Sequence, residues 1–207
     1  IFLSEQGTAM PMGKWSIYDY GTRALCLVRW PGKIKPAVTD AVAMYCDVVP
    51  TLVDVAGGKA PDVDGKSFLP VLKGETSDHR NNAYVVHQND GFTQRAIRGK
   101  EFKLIWSPKQ ENDYRVSVMM DKGGKFFGKV WQGWLEKAKT DPDAQAKIDR
   151  VLKHPEFELY NVKEDPWELN NLAGNPEYAQ KLATLHASLK ADMKQLNDSF
   201  TSIDYKE

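Results

Sequence analysis

Three polar residues near the start of the sequence, Glu5, Gln6 and Lys14, have side chains of the types that bind a metal ion and an anion. An uninterrupted apolar run at 1–3 precedes them. A short run of this kind that stops at polar residues and a glycine, here Gly7, is typical of a buried strand in a parallel sheet. Ligands of open α/β sheets bind beyond the carboxyl ends of such strands. The pattern therefore places Glu5 and Gln6 where they could face a cation, and with Lys14 nearby this arrangement would suit an anionic substrate.

Short motifs follow one another in a fixed order along nearly the whole chain. They are GK at 13–14, YDYGTR at 18–23, RWPG at 29–32, DVVPTL at 47–52, DGKSF at 64–68, RAIR at 95–98, ELYN at 158–161 and EDPWELNNL at 164–172. By this order the chain resembles the type I, formylglycine-dependent sulfatases of the alkaline-phosphatase-like superfamily. The resemblance is to the C-terminal part of the heparan N-sulfatase-like and arylsulfatase-like members.

The resemblance implies roles for the three residues near the start of the chain. In the family, a strand ends in an Asp-Asn or Asp-His pair that binds calcium, and Glu5 and Gln6 occupy the place of that usually shorter pair. It implies that Glu5 and Gln6 bind Ca²⁺ or another divalent cation such as Mg²⁺, and that Lys14 holds the sulfate oxygens. Without the resemblance, Glu5 and Gln6 are polar residues that close a strand, and Lys14 is a solvated surface lysine.

Further candidate contacts with the substrate lie in the second half of the chain. In related enzymes this part selects the sugar or aryl group, and the resemblance makes His87, Arg95 and Arg98 candidates for that role. The plainer interpretation is a half-buried histidine and surface charge on a hairpin. Trp131 and Trp134 are three residues apart in a predicted helix, and this spacing is more typical of a core than of a sugar-stacking platform.

The nucleophile of the family has no counterpart in this sequence. Sulfatases make formylglycine from the Cys or Ser of a Cys/Ser-x-Pro/Ala-x-Arg motif, and neither Cys26 nor Cys46 nor any serine begins that motif. The resemblance therefore implies that the formylglycine lies in an N-terminal part of the same protein, which is the expected partner of this chain. We expect these 207 residues to be inactive by themselves.

The reaction implied is hydrolysis of a sulfate ester, of an aryl compound or a carbohydrate, or of a sulfamate, with a sulfated small molecule or glycan as substrate. Two alternatives stay open at this point. The superfamily includes phosphodiesterases and phosphonate hydrolases, whose tetrahedral phosphate would suit the same residues. A non-catalytic binding module derived from a sulfatase would explain the missing nucleophile.

Composition limits the other function classes. Lys plus Arg and Asp plus Glu number 28 each, so net charge gives no argument for binding to nucleic acid. No apolar run approaches the roughly 20 residues of a membrane span. The presence of two cysteines does not determine whether the protein resides in an oxidising or a reducing compartment. The family resemblance implies a periplasmic, secreted or lysosomal location.

The expected fold class is α/β with two units. Residues 1–75 would be the C-terminal part of the sulfatase α/β catalytic domain, the end of a large, mostly parallel mixed sheet flanked by helices. Residues 76–207 would form a smaller α+β subdomain with a four-stranded antiparallel sheet and a long C-terminal helix. Apolar runs and spacing, together with capping and turn residues, predict strands at 41–45, 84–87, 94–98, 102–106 and 157–161, helices at 47–55, 68–72, 129–139, 141–152 and 176–196, and a loop or ragged strand at 116–128.

The sequence also predicts some local side-chain contacts. Tyr18 is expected to pack in the core, and Asp19 to pair with Arg23 within its turn. His79 and His154 lie in polar or turn contexts and are expected to be exposed.

Overall fold

The structure is a computed structural model that describes residues 1–8, 10, 12–60, 62–89, 92–108, 113–114 and 126–199. Its largest sheet has four antiparallel strands in the order β3 (Ala83–Asn89), β4 (Phe92–Arg98), β5 (Phe102–Trp106) and β6 (Phe157–Asn161). The last long element is helix α6 (Ala179–Gln195). The predicted α/β class, with this sheet and a long C-terminal helix, is confirmed.

The alternation of side chains along the strands gives the sheet two apolar faces. Ile97 and Leu104 point to one face, where they pack against Leu189 and Met193 of α6. Their strand neighbours Ala96, Ile105 and Tyr160 point to the opposite face, where they pack against Ile17 and Tyr18. The segment just after Lys14 therefore rests directly on the sheet.

Two helices form a third layer beside the sheet. Helix α4 (Phe126–Ala138) packs against helix α5 (Pro142–Leu152), and Asp141 caps α5 by accepting hydrogen bonds from Asp143 N at 3.0 Å and Ala144 N at 3.1 Å. Trp131 is buried in their core, as its spacing predicts, whereas Trp134 is partly exposed. The loop predicted at 116–128 falls mostly outside the described residues, and α4 begins within it.

The first part of the chain contains little regular structure. Its elements are β1 (Phe2–Leu3), β2 (Cys26–Leu27) and helices α1 (Asp19–Thr22), α2 (Val48–Val55) and α3 (Leu69–Lys73). Among the described residues, no helix has the length and apolar character needed to cross a bilayer.

Two strand predictions for this part are wrong. β1 is not a buried parallel strand, because the chain turns back through α1 and β1 pairs antiparallel with β2, which leaves Phe2 60% exposed. Residues 41–45 are not a strand. Val42 forms only an isolated bridge with Arg80, and Tyr45–Asp47 is a short 3₁₀ helix.

Candidate functional site

The structure brings two of the predicted site residues into contact on the loop after β1. Lys14 Nζ lies 2.7 Å from Glu5 Oε2, with 23% of the Lys14 side chain and 72% of the Glu5 side chain exposed. Gln6, next to Glu5, is half-buried. A cationic and an anionic group thus meet at the surface, where such a pair contributes little to stability by itself.

Close backbone contacts fix the position of Lys14. Its N–H donates to Thr8 O at 2.7 Å, and Gly13 N–H donates to Met10 O at 2.9 Å. A Cβ on Gly13 would lie only 2.2 Å from Thr8 O, and one on Gly7, which has φ of +58°, would lie 2.8 Å from Lys14 N. Glycine is required at both positions, since any other side chain would push the loop apart. We call residues 4–16 the Lys14 loop.

The far side of the Lys14 loop is held against α1. A Cβ on Gly21 would lie 2.4 Å from Gly13 O, and Ser16 Oγ donates to Met12 O at 2.8 Å. Met12 and Trp15 adopt positive φ angles of 65° and 73° although neither is glycine. Such conformations cost on the order of 1–3 kcal/mol each and persist only where surrounding contacts impose them.

A buried network of four polar side chains lies below the loop. Glu158 accepts hydrogen bonds from the hydroxyls of Tyr18 at 2.7 Å and Tyr160 at 2.6 Å, and His154 Nδ1 lies 3.1 Å from its other oxygen. Burial alone would raise the pKa of Glu158, but the hydrogen bonds from His154 and the two tyrosines hold this pKa below its usual value. Tyr18 packs as predicted. The prediction for His154 is wrong, because it is buried in this network.

A second buried network places Asp19 among partners from the sheet. Its carboxylate lies 3.1 Å from both Arg98 Nη2 and Lys103 Nζ, and its N–H donates to Glu168 Oε2 at 2.6 Å. Lys103 Nζ also lies 2.8 Å from Glu168 Oε1. The predicted pairing of Asp19 with Arg23 is wrong, because Asp19 is buried and faces the sheet. Burial would raise the pKa of Asp19, and Lys103 and Arg98 lower it below the usual value.

The three candidate substrate residues of the sheet do not converge. Arg95 is buried on the face that packs against α6, with Nη2 2.8 Å from Asp198 Oδ1, whereas Arg98 lies on the opposite face with Asp19. His87 packs against the ring of Tyr114, with the ring centroids 5.2 Å apart, and burial lowers its pKa to about 4. All three side chains are therefore engaged in contacts with other residues of the chain.

Sequence reasoning missed a buried carboxylate at the start of α2. Asp47 is fully buried and accepts hydrogen bonds from Arg80 Nε at 2.9 and 3.0 Å, Lys66 N at 2.8 Å and Met44 N at 2.8 Å, and His79 Nε2 lies 3.1 Å away. These partners hold the pKa of Asp47 at about 2, although burial alone would raise it. Its side chain does not cap α2, and His79 is not exposed as predicted. No local pattern reveals this contact, since Arg80 is 33 residues away.

In the described part of the chain, no group of three or more His, Cys, Asp or Glu side chains could hold a metal ion. The carboxylate of Glu5 and the amide oxygen of Gln6 are adjacent hard donors of the type that Ca²⁺ and Mg²⁺ accept. They fit part of a ligand set. Ca²⁺ takes about 6–8 oxygen ligands, so further donors would have to come from elsewhere.

Comparison with known proteins identifies the family. The family model described as N-sulphoglucosamine sulphohydrolase, C-terminal, matches residues 11–122, which is more than half of the chain. The chain belongs to this sulfatase family. The matched region includes Lys14 and most of the four-stranded sheet. The chain is a C-terminal sulfatase domain, as its motifs predict.

Several sulfatases are similar to this sulfatase domain. An ulvan-active sulfatase of Formosa agariphila is 33% identical over 210 residues, which cover 96% of this chain and 38% of that protein. Human N-sulphoglucosamine sulphohydrolase is 25% identical, with 91% of this chain and 40% of that protein covered. A structure solved in complex with its substrate D-glucosamine-2-N,6-O-disulfate has a TM-score of 0.60 and 27% identity, and covers 92% of this chain and 32% of that chain. The domain thus spans well under half the length of these relatives.

Proposed function

We propose that this domain is part of a sulfatase that hydrolyses sulfate esters or sulfamates of carbohydrates, and that Lys14 binds the sulfate group. The geometry of the Lys14 loop is the main support for this proposal. Its glycine contacts hold a partly exposed ammonium group beside an acidic residue at the surface. The names of the relatives support a carbohydrate substrate, because they include an ulvan-active sulfatase and an N-acetylglucosamine-6-O-sulfatase. These names do not favour the phosphodiesterase or phosphonate hydrolase alternative.

Lys14 would act by adding fixed positive charge beside the sulfate. The compact ammonium of lysine suits a tetrahedral anion, and a preorganised charge stabilises the charge that develops in the transition state. When the substrate arrives, its sulfate would compete with Glu5 for Lys14. Glu5 is the more exposed member of the pair, so it is free to turn toward a cation.

We propose that Glu5 and Gln6 contribute two ligands to a calcium site that is completed by residues outside this chain. The cation would supply positive charge that polarises the sulfate. The residues of this chain would orient it: Glu5 adds a negative charge that attracts the ion, and Gln6 adds a neutral oxygen. The formylglycine nucleophile would lie in the N-terminal part of the protein, as the family resemblance implies.

The N-terminal part of the protein is the partner that we propose for the exposed apolar surface of this chain. Phe2 and Leu27 of the β1–β2 sheet and Ile1 beside it are each about half exposed or more, as are Val49 and Leu52 of α2. We propose that these side chains form one interaction surface. We assign residues 1–75 to a catalytic domain shared with that partner and residues 76–207 to a subdomain. The proposed location is periplasmic, secreted or lysosomal.

Release of inorganic sulfate by the complete protein tests the proposed reaction. The panel would contain an aryl sulfate, 6-O- and N-sulfated glucosamine, and matched phosphodiester and phosphonate esters. We expect sulfate release from the sulfated sugars and none from the panel when residues 1–207 are assayed alone. Faster turnover of a phosphodiester or phosphonate than of every sulfated compound would overturn the assignment. So would sulfate release by the isolated chain.

A further inference from the structure

Tyr114 connects the Lys14 loop to the core of residues 76–207, which we call the C-terminal unit. Its hydroxyl donates a hydrogen bond to the carbonyl oxygen of Trp15 at 2.5 Å, although the two residues are 99 positions apart in the sequence. Its own N–H donates to Leu152 O at 2.7 Å, at the end of α5. Trp15 follows Lys14 directly and has φ of +73°. The contact therefore acts on a backbone conformation that a non-glycine residue rarely adopts.

The surroundings of Tyr114 leave its ring little freedom. The side chain is buried, and its ring meets those of Phe92 and His154 edge-on, with centroids 5.3 and 5.5 Å away. His87 packs on it at 5.2 Å. Burial also raises the pKa of Tyr114 above its usual value, so the phenol keeps its proton and remains a donor. A rigidly held donor can fix the direction of the carbonyl that it binds.

Among the described residues, the other backbone hydrogen bonds of the loop lie on both sides of Trp15, and Tyr114 is the donor to the Trp15 carbonyl. Lys14 N–H donates to Thr8 O at 2.7 Å, and Ser16 N–H donates to Gly13 O at 3.0 Å. The carbonyl of Trp15 accepts its hydrogen bond from Tyr114 of the C-terminal unit. Loss of this donor would leave a partly buried carbonyl unpaired, and the peptide after Trp15 would gain freedom to rotate.

We propose that Tyr114 is a positioning residue for Lys14, because its hydrogen bond to the Trp15 carbonyl fixes the backbone that directs the ammonium group. The inference rests on the proposed role of Lys14 as the sulfate-binding residue. A misplacement of about 1 Å at a reacting group can cost roughly a hundredfold in rate, so a hydroxyl outside the site can affect turnover strongly. His87, which packs on Tyr114, would influence the site in the same indirect way.

The test is Tyr114→Phe in the complete protein, with Tyr160→Phe as the matched control. Both substitutions remove one buried hydroxyl from the same unit, but the hydroxyl of Tyr160 donates to Glu158 at 2.6 Å and, among the described residues, makes no hydrogen bond with the Lys14 loop. We expect Tyr114→Phe to lower kcat by about ten- to a hundredfold with a smaller change in KM. We expect Tyr160→Phe to lower the unfolding temperature and leave kcat near wild type. Equal kcat for Tyr114→Phe and wild type would overturn the inference.

A double-mutant cycle separates positioning from a general structural role. If Tyr114 acts through Lys14, then Tyr114→Phe has no further effect on kcat once Lys14 is alanine. A loss in the double variant equal to the product of the two single losses would overturn the inference. The cycle also distinguishes the two proposals. If Lys14→Ala itself keeps wild-type turnover, the proposed function fails, whereas a damaged Lys14→Ala beside an unaffected Tyr114→Phe refutes the positioning role alone.

Discussion

The four-stranded sheet and the Lys14 loop differ in what holds them in place. In the sheet, each strand pairs with the next strand along the chain, and Ala96, Ile97 and Leu104 are fully buried. The described residues of the Lys14 loop form no helix or strand, and the loop is shaped by glycine contacts and by Tyr114, far away in the sequence. The sheet is stabilised by pairing between strands that are neighbours in the sequence. The Lys14 loop takes its geometry from contacts with the rest of the fold, including Tyr114. Changes in the sheet should therefore affect stability, and changes in the loop should affect function.

The largest effect is expected where the sheet carries buried charge. Lys103→Met would leave Asp19 and Glu168 buried without their shared cation and should lower the free energy of unfolding by about 3–5 kcal/mol. Chemical denaturation of the complete protein measures this. Lys100→Met is the control, because the ion pairs of Lys100 with Asp40 and Asp78 lie at the surface, and its effect on the free energy of unfolding should be much smaller. Similar losses for both variants would contradict the account.

The loop should show the opposite behaviour. Lys14→Ala in the complete protein should lower kcat by about two to three orders of magnitude, the effect of removing one preorganised charge at the reacting group, with an unchanged unfolding temperature. Lys14→Arg should restore only part of the activity, because a planar guanidinium does not replace a compact ammonium. Steady-state assays with a sulfated sugar test this. If Lys14→Ala loses activity only because it unfolds, the expected difference between the loop and the sheet is wrong.

Protonation of Asp47 tests a buried contact of the first part of the chain. Its pKa is about 2 in the folded protein and ordinarily 3.8, so the contribution of its ionised form is complete above pH 3.8 and is lost as the pH falls toward 2. The difference corresponds to about 2 kcal/mol. Denaturation series at decreasing pH should show this loss, and Asp47→Asn should lack it. An equally steep decline in Asp47→Asn would assign the effect to other carboxylates.

The smallest effect concerns the proposed calcium ligands. Glu5→Ala should weaken calcium binding by the complete protein about tenfold, and Gln6→Ala should weaken it less because an amide carries no formal charge. Titration calorimetry gives the dissociation constants. Glu136→Ala is the control, since Glu136 is an exposed acidic residue whose carboxylate forms an ion pair with Lys139. Equal affinities for Glu5→Ala and wild type would remove Glu5 from the metal site.

The sequence predicts the sheet well and the networks around it poorly. Apolar runs and turn residues identify β3 to β6, the Asp141-Pro142 pair identifies α5, and apolar spacing identifies α6, because these signals are local. The partners of Asp19 and Asp47 were not predictable, since they lie tens of residues away and depend on how the elements pack. The same reason explains why His79 and His154 are buried in spite of their polar sequence contexts. The motif order predicts the family and the position of Lys14. The contact between Tyr114 and the Lys14 loop can be recognised only once the fold is known.

The most direct test of the central claim is a structure of the complete protein with a sulfated sugar bound, with its nucleophile inactivated by substitution. We predict that Lys14 Nζ lies within about 4 Å of a sulfate oxygen, the distance of an ion pair. We also predict that Glu5 has turned from Lys14 toward a bound cation. Tyr114 should still donate to the Trp15 carbonyl. A sulfate bound elsewhere, with Lys14 still paired to Glu5, would contradict the account.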